Sequence, residues 1–294
     1  MPSRRTSKPT LFIIGGAEDR VGRASLLRRF VKLSGGRSAR MVIIPTASSF
    51  QAEVVAAYTE VFERFGVTQI SVVNPSSRDH RGRDAEVEAL DAATGVFISG
   101  GNQLVLSQYF AGTPLGAALH RAHERGAVIG GTSAGASIMS EFMIALGQDG
   151  AVPLQRSSGV SQGLGLVKGV VIDQHFAERA RYGRLMAVIA RSPGLLGIGI
   201  DEDTAIEVKA GRFTVHGRST AFVIDCSSAV TDAPDARRYA PLLVSGAVVH
   251  ALPAGSTFDL ATRRLAGFVE QHPDTVIVAE TAKPEAEPTG VLRP

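Results

Sequence analysis

Short apolar, β-branched runs alternate with longer segments of helical periodicity along the first two-thirds of the chain. The runs are continuously apolar, which is typical of parallel strands covered on both faces. The pattern predicts an α/β fold: a doubly wound, mostly parallel sheet with helices on both faces. Strands are predicted at residues 11–14, 41–44, 70–73, 96–99, 127–129, 169–172 and 196–200. Helices are predicted near residues 22–33, 51–65, 84–93, 103–124, 135–145 and 178–191.

The pattern changes after about residue 203, where strand-like segments such as A-F-V-I-D-C replace the helical ones. A β-rich extension over about 205–280 is therefore predicted to pack on the same core. The chain has 294 residues, 44% of them hydrophobic, so residues 1–280 can form one α/β domain. The tail 281–294 is rich in proline and charge, which predicts disorder. Residues 76–83 and 147–161 are predicted surface loops.

Charge and cysteine content narrow the functional class. The net charge is only +3, tryptophan is absent and the arginines are scattered, which disfavours a nucleic-acid partner. The single cysteine, Cys226, excludes an internal disulfide and fits a reducing compartment. No apolar run approaches the roughly 18 residues of a membrane span, and the first apolar run is too short for a signal peptide. We therefore expect a cytoplasmic protein with no membrane partner.

The sequence G-G-T-S-A-G-A-S at residues 130–137 contains a G-x-S-x-G pattern centred on Ser133. A strand-like run precedes it and a helical pattern follows, which is the context of a nucleophile elbow. The amide of Ala134 would then start the helix and can donate to an oxyanion. The alternative is a serine in a glycine-rich turn that only packs closely.

A catalytic serine needs a base, and seven histidines are candidates. His175 follows the apolar strand G-V-V-I and would emerge at the carboxyl end of a parallel strand, where ligands gather in open α/β sheets. The alternative is a strand-end histidine with a structural role. His120 and His123 share a predicted helix, and without a third ligand they are more typical of a surface pair than of a metal site.

Two further strand ends complete the candidate site. Asp201, Glu202 and Asp203 follow the strand L-G-I-G-I, and one of them is expected to orient the histidine. A solvated turn or a hard-cation site remain alternatives for these acids. The strand at 96–99 ends in G-G-N-Q, where the Gly101 amide can serve as a second oxyanion donor and Gln103 can bind substrate. A simple strand–helix turn is the alternative there.

Five ordered blocks of this sequence resemble the cyanophycinase family of serine peptidases, which is related to aspartyl dipeptidase. The blocks are I-I-G-G-A-E-D-R at 13–20, S-G-G-N-Q at 99–103, G-G-T-S-A-G-A-S at 130–137, D-Q-H-F-A-E-R-A-R-Y-G-R-L at 173–185 and G-I-G-I-D-E-D-T-A at 197–205. The resemblance implies a fold related to class I glutamine amidotransferases, with Ser133 as nucleophile, His175 as general base and Glu202 as orienting acid.

The resemblance also implies a substrate and its binding residues. The substrate would be cyanophycin, a poly-aspartate whose β-carboxyls carry arginine, and the product would be the β-Asp-Arg dipeptide. The implied substrate-binding residues are Gln103, Thr132, Asp173, Gln174, Arg179, Arg181 and Arg184. A homodimer is implied as well, and no cofactor or metal is expected. Alternative functions are an aspartyl or isoaspartyl dipeptidase, or a non-catalytic ligand-binding relative.

Overall fold

The structure of the protein is a computed structural model that describes residues 8–76 and 84–269. The helices are α1 Ser25–Leu33, α2 Gln51–Arg64, α3 Asp84–Ala92, α4 Gln103–Phe110, α5 Pro114–Glu124, α6 Ala134–Ser137 and α7 Tyr182–Arg191. The strands are β1 Thr10–Ile14, β2 Arg40–Ile44, β3 Gln69–Val72, β4 Gly95–Ile98, β5 Val128–Thr132, β6 Phe142–Gly147, β7 Ser158–Gln162, β8 Val170–Gln174, β9 Leu196–Ile200, β10 Thr204–Lys209, β11 Arg212–Gly217, β12 Thr220–Asp225, β13 Val230–Thr231, β14 Val244–Ser245, β15 Val248–Pro253, β16 Thr257–Asp259 and β17 Arg264–Gly267.

A nine-stranded sheet organises the fold, in the order β17-β16-β11-β10-β1-β5-β4-β2-β3. The strands from β1 to β3 in this order pair in parallel, and β10, β11, β16 and β17 extend the sheet antiparallel. The predicted α/β class with added C-terminal strands is therefore confirmed.

Both faces of this sheet are covered, as the continuously apolar strands indicate. Along β1, Leu11 and Ile13 point into one core cluster, which includes Leu119 of α5. Phe12 and Ile14 point into the opposite cluster, which includes aromatic side chains of α1 and α2. Because successive strand residues face opposite sides, an all-apolar strand requires two apolar layers.

A second sheet has the order β15-β12-β9-β8, in which β8 and β9 pair in parallel. The strands predicted at 169–172 and 196–200 thus lie in this smaller sheet and not in the central one. Both strands are buried along their whole length. Apolar content alone therefore does not distinguish membership of either sheet.

The helix predicted over 103–124 is two helices. Gly112 adopts a left-handed φ of 71°, and the hydroxyl of Thr113 accepts a hydrogen bond from the Gly116 amide at 3.3 Å. Pro114 occupies the first turn of α5, where its missing N–H costs nothing. The glycine, cap and proline together end one helix and begin the next.

The helix predicted over 135–145 is wrong beyond its first turn. α6 ends at Ser137, and the Ser140 hydroxyl donates to the Ser137 carbonyl at 2.8 Å, closing the turn. The chain then enters β6, which pairs antiparallel with β7. Of the predicted loop 147–161, residues 148–157 connect the two strands of this hairpin, while Gly147 belongs to β6 and residues 158–161 belong to β7. Most of the predicted loop 76–83, and the whole tail 281–294, lie outside the described residues.

None of the helices within residues 8–76 and 84–269 has both the length and the apolar character needed to cross a membrane.

Candidate active site

Ser133 follows β5 directly and has φ 52° and ψ −112°, a conformation that L-residues rarely adopt. Its neighbours must be small. A Cβ on Gly131 would lie 2.5 Å from the Gly135 carbonyl oxygen, and one on Gly135 would lie 2.1 Å from the Ile98 carbonyl oxygen. The G-x-S-x-G pattern thus supplies the room for a strained strand-to-helix turn that presents the serine side chain.

Ser133, His175 and Glu202 form a continuous hydrogen-bonded chain. His175 Nε2 lies 3.0 Å from Ser133 Oγ, and His175 Nδ1 lies 2.6 Å from Glu202 Oε1. The imidazole is mostly buried and the Glu202 carboxylate is partly exposed. A carboxylate on Nδ1 favours the tautomer that leaves Nε2 free to accept the serine proton.

Three consecutive carbonyls at the end of β1, those of residues 14–16, fix the backbone of the segments that carry these side chains. Ser133 N–H donates to the Ile14 carbonyl at 3.1 Å, and His175 N–H donates to the Gly15 carbonyl at 2.8 Å. Asp203 N–H donates to the Gly16 carbonyl at 2.9 Å. The end of β1 therefore ties together the segments that carry the serine, the histidine and the acid, although they come from different strands and different sheets.

The two glycines in this segment are required by close approach. A Cβ on Gly15 would lie 2.1 Å from the Asp201 carbonyl oxygen. A Cβ on Gly16, whose φ is 112°, would lie 2.3 Å from Cε1 of the His175 ring. Glycine is the residue that permits both the left-handed φ and the contact with the imidazole.

The three acids after β9 have different surroundings. Asp201 is buried, and its carboxylate accepts hydrogen bonds from the Ala177 amide at 3.0 Å and the Ser219 hydroxyl at 2.7 Å. Asp203 accepts from the Asp19 amide at 3.1 Å. Glu202 alone of the three contacts the imidazole. The carboxylates of Asp201 and Asp203, in contrast, stabilise the surrounding loops.

The two expected oxyanion donors come from the residue after the serine and from the turn after β4. Ala134 begins α6 and is buried. Gly101 has φ 138°, and a Cβ there would lie 2.0 Å from the Ala47 carbonyl oxygen. The neighbouring Gly100 approaches the serine, since a Cβ on it would lie 3.6 Å from Ser133 Oγ. The turn after β4 therefore brings backbone without bulky side chains close to the nucleophile, and such a turn suits amide donors.

A buried cluster of charges forms one wall of the site. Asp173 is 1% exposed and receives hydrogen bonds from Nε (2.6 Å) and Nη2 of Arg184. Arg181 lies 3.6 Å from the same carboxylate and donates to the Gln174 carbonyl at 2.6 Å. Both guanidiniums also contact Asp149. Burial lowers the pKa of Arg181, while the charge of Asp173 opposes that shift.

The side chain of Gln174 connects this cluster to the nucleophile. Gln174 Oε1 accepts from Arg181 Nη1 at 3.1 Å and lies 3.4 Å from Ser133 Oγ. Arg181 and Arg184 were expected to bind substrate, and within the described residues their guanidiniums already pair with protein acids. Direct substrate binding by these arginines stays a prediction, and the hydrogen bonds of Arg181 also position Gln174.

The remaining expected binding residues are more dispersed. Gln103 donates from Nε2 to the Ile144 carbonyl at 2.9 Å and so joins α4 to β6. Thr132 donates its hydroxyl to Glu18 at 2.5 Å. Arg179 is exposed just after His175. Sequence reasoning did not single out Glu18, although the G-G-A-E block after the first strand placed it near the site.

Among residues 8–76 and 84–269, no group of three or more His, Cys, Asp or Glu side chains is arranged to hold a metal ion.

Comparisons with known proteins extend these observations. Residues 11–216 match the model of peptidase family S51. A cyanophycinase from Nostoc sp. is 35% identical over 266 residues, which cover 90% of this chain and 89% of that protein. A cyanophycinase from Geminocystis herdmanii is 34% identical over 90% of this chain and 98% of its own length.

Solved structures show the same fold at lower identity. A peptidase from an acI-B1 actinobacterium superposes with a TM-score of 0.64 at 19% identity, covering 86% of this chain and 98% of its own. A putative peptidase E from Listeria monocytogenes has a TM-score of 0.50 at 18% identity, covering 72% of this chain and 100% of its own. From the family match and the cyanophycinase relatives together, the chain belongs to peptidase family S51 and is a serine-type peptidase.

Proposed function

We propose that this peptidase hydrolyses cyanophycin to β-Asp-Arg dipeptides through an acyl-enzyme on Ser133. The observation that carries the proposal is the hydrogen-bonded chain from Ser133 Oγ through both nitrogens of His175 to Glu202. An elbow serine without a base is a weak nucleophile, and the histidine at 3.0 Å supplies one.

The reaction proceeds in two halves. Ser133 Oγ attacks the scissile carbonyl carbon while its proton passes to His175 Nε2, and the oxyanion accepts from the Ala134 and Gly101 amides. The tetrahedral intermediate expels the amine, which takes the proton from the imidazolium. Water then attacks the acyl-enzyme as its proton passes to His175, and the ester bond breaks to release the acid and restore the Ser133 hydroxyl. Glu202 stabilises the imidazolium in both halves.

The substrate assignment rests on relatives and on charge. The curated relatives that share about a third of their residues with this chain are named cyanophycinases. The proposed substrate carries a carboxylate and a guanidinium on every unit, and Glu18 and Arg20 line the cavity that contains the nucleophile. The exposed guanidinium of Arg179 can take a substrate carboxylate. Asp173, Gln174, Arg181 and Arg184 form the polar wall, and Gln103 and Thr132 complete the binding set.

The test is purified protein on insoluble cyanophycin, with mass analysis of the products beside a panel of aspartyl and isoaspartyl dipeptides. We expect β-Asp-Arg dipeptide from the polymer and at least about a 10³-fold loss in Ser133→Ala. Ser228→Ala, an exposed serine on the loop after β12, is the control and should retain full activity. Dipeptide release by Ser133→Ala would refute the mechanism, and cleavage of the dipeptide panel alone would favour a dipeptidase.

The homodimer implied by the resemblance is part of the same proposal. Light scattering coupled to gel filtration tests it, and a monomer mass at assay concentration would refute it.

A further inference from the structure

A cavity opens at the nucleophile Ser133. It has a volume of about 230 Å³ and is bounded by the loop between β1 and α1, by α2, and by the ends of β4 and β5. Ser133 and Gly100 form its inner wall, and Glu18, Arg20 and Tyr58 form much of the rest. Among the described residues, the Asp173 cluster does not line this cavity. The reaction proposed above assigns no role to Glu18, Arg20 or Tyr58.

A negative charge lies at the floor of this cavity. Glu18 is 6% exposed and accepts hydrogen bonds from the Tyr58 hydroxyl and, at 2.5 Å, from the Thr132 hydroxyl. Burial and the charge of Glu18 raise the pKa of Tyr58 well above its usual value, so Tyr58 keeps its proton and donates. In the described residues no cation forms an ion pair with Glu18. Each carboxylate oxygen retains a lone pair for a ligand.

A positive charge lies at the rim. The Arg20 guanidinium carbon is 5.8 Å from the centroid of the Tyr58 ring, and the side chain is exposed. Within residues 8–76 and 84–269 no acid forms an ion pair with Arg20, so its fork of N–H donors is available for a carboxylate. Arg64 donates to the Arg20 carbonyl at 3.0 Å and fixes the backbone there.

The loop that carries both charges is held rigidly against the catalytic centre. The Asp19 carboxylate accepts from the Gly22 amide at 2.7 Å and the Ala24 amide at 2.9 Å, and the Asp19 amide donates to Asp203 at 3.1 Å. Asp203 adjoins Glu202 in sequence. The backbone positions of Glu18 and Arg20 are therefore set before a ligand arrives, which reduces the ordering cost of binding.

We propose that this cavity is a substrate subsite, in which Arg20 binds a carboxylate and Glu18 binds a cation of one zwitterionic substrate arm. The inference rests on the proposed function, because an arginine linked through its α-amino group keeps a free α-carboxylate and a guanidinium. The positive charge at the rim and the negative charge at the floor are complementary to the two charges of that arm.

The test compares three short aspartyl peptides that differ in the arm. The first carries arginine, the second carries citrulline, which is neutral where arginine is charged, and the third carries arginine amide, which lacks the carboxylate. We expect the protein to lose about 10- to 100-fold in kcat/KM with each altered arm. Glu18→Gln should abolish the discrimination against citrulline, and Arg20→Gln should abolish the discrimination against the amide.

The outcomes distinguish failure of the subsite from failure of the proposed function. Arg23→Gln, an exposed arginine on the same loop, is the matched control and should keep both ratios. Ratios between substrates are insensitive to a general distortion of the elbow, and if Glu18→Gln fails to fold, the amide ratio of Arg20→Gln decides. Activity on the arginine peptide with unchanged ratios in both variants would overturn the subsite alone. No activity of the unaltered protein on any of the three peptides would overturn the proposed function together with it.

Discussion

The two walls beside Ser133 contain similar charges and use them differently. On one wall Asp173 is paired with Arg181 and Arg184 inside the protein, and all three side chains are nearly fully buried. On the other wall Glu18 is held by two hydroxyls, and Arg20 is exposed and pairs with no acid in the part of the chain that the structure describes. The charges of the first wall neutralise each other within the protein, and we call it the closed wall. The charges of the second wall remain available to a ligand, and we call it the open wall.

The difference separates a structural role from a recognition role. Charges that satisfy each other in a buried cluster contribute to the shape of the site and are costly to break. A charged side chain that is hydrogen-bonded only to neutral groups is not neutralised, so it can still attract a ligand of opposite charge. Substitutions on the closed wall should therefore affect stability most, and substitutions on the open wall should affect substrate choice most.

The largest effect is expected from breaking the closed wall. Asp173→Asn would leave two buried guanidiniums without their shared partner, which should lower the free energy of unfolding by about 3 to 5 kcal/mol. Urea unfolding followed by circular dichroism measures it. Asp149→Asn is the control, because that carboxylate is 45% exposed and should contribute about 1 kcal/mol or less. Equal small losses in both variants would show that the wall is not closed.

The next effect concerns Gly16, in the segment just after β1 that contacts the catalytic histidine. Gly16→Ala places a Cβ against the His175 ring and should lower kcat/KM about 10²-fold through displacement of the imidazole. Gly35→Ala is the matched control, since Gly35 has the same φ of 112° and its nearest contact would be an ordinary 3.8 Å. Equal activity losses in the two variants would point to backbone strain and not to the histidine contact.

A smaller effect is expected on stability when the open wall is altered. Glu18→Gln still accepts from one hydroxyl and leaves no buried cation unpaired, so the loss should be about 1 to 2 kcal/mol. The measurement is the urea experiment used for Asp173→Asn. A loss as large as that of Asp173→Asn would remove the distinction between the walls.

The smallest effect is a dependence on alkaline pH. Because burial and Glu18 raise the pKa of Tyr58, the unfolded chain releases this proton above about pH 10 while the folded protein keeps it. The folded state therefore loses up to about 1.4 kcal/mol per pH unit in that range. Tyr58→Phe should remove this part of the slope of stability against pH, and exposed Tyr239→Phe should retain it. An unchanged slope in Tyr58→Phe would contradict the buried donor.

Sequence patterns predicted the strand ends well, because apolar runs followed by glycine or polar residues mark where each strand stops. Ser133, His175 and Glu202 were placed at such ends, and the structure brings them together. The pattern could not choose among Asp201, Glu202 and Asp203, which follow the same strand. Only the partners from distant segments, such as Ser219 on Asp201, separate their roles.

Other features depended on long-range contacts that no local pattern contains. The apolar segment after Ser137 has helical spacing, yet pairing of β6 with β7 determines its conformation. The split at Gly112 was different, because a glycine, a capping threonine and Pro114 marked it in the sequence. The role of Gly15 and Gly16 required the positions of three other loops, so it was visible only in the fold.

The most direct test of the central claim is labelling with a fluorophosphonate, which reacts with activated serine hydroxyls. Mass analysis of peptides should find one adduct, on Ser133, and His175→Ala should slow labelling by at least about 10³-fold. An adduct on another residue, or equal labelling rates in the two proteins, would contradict activation of Ser133 by His175.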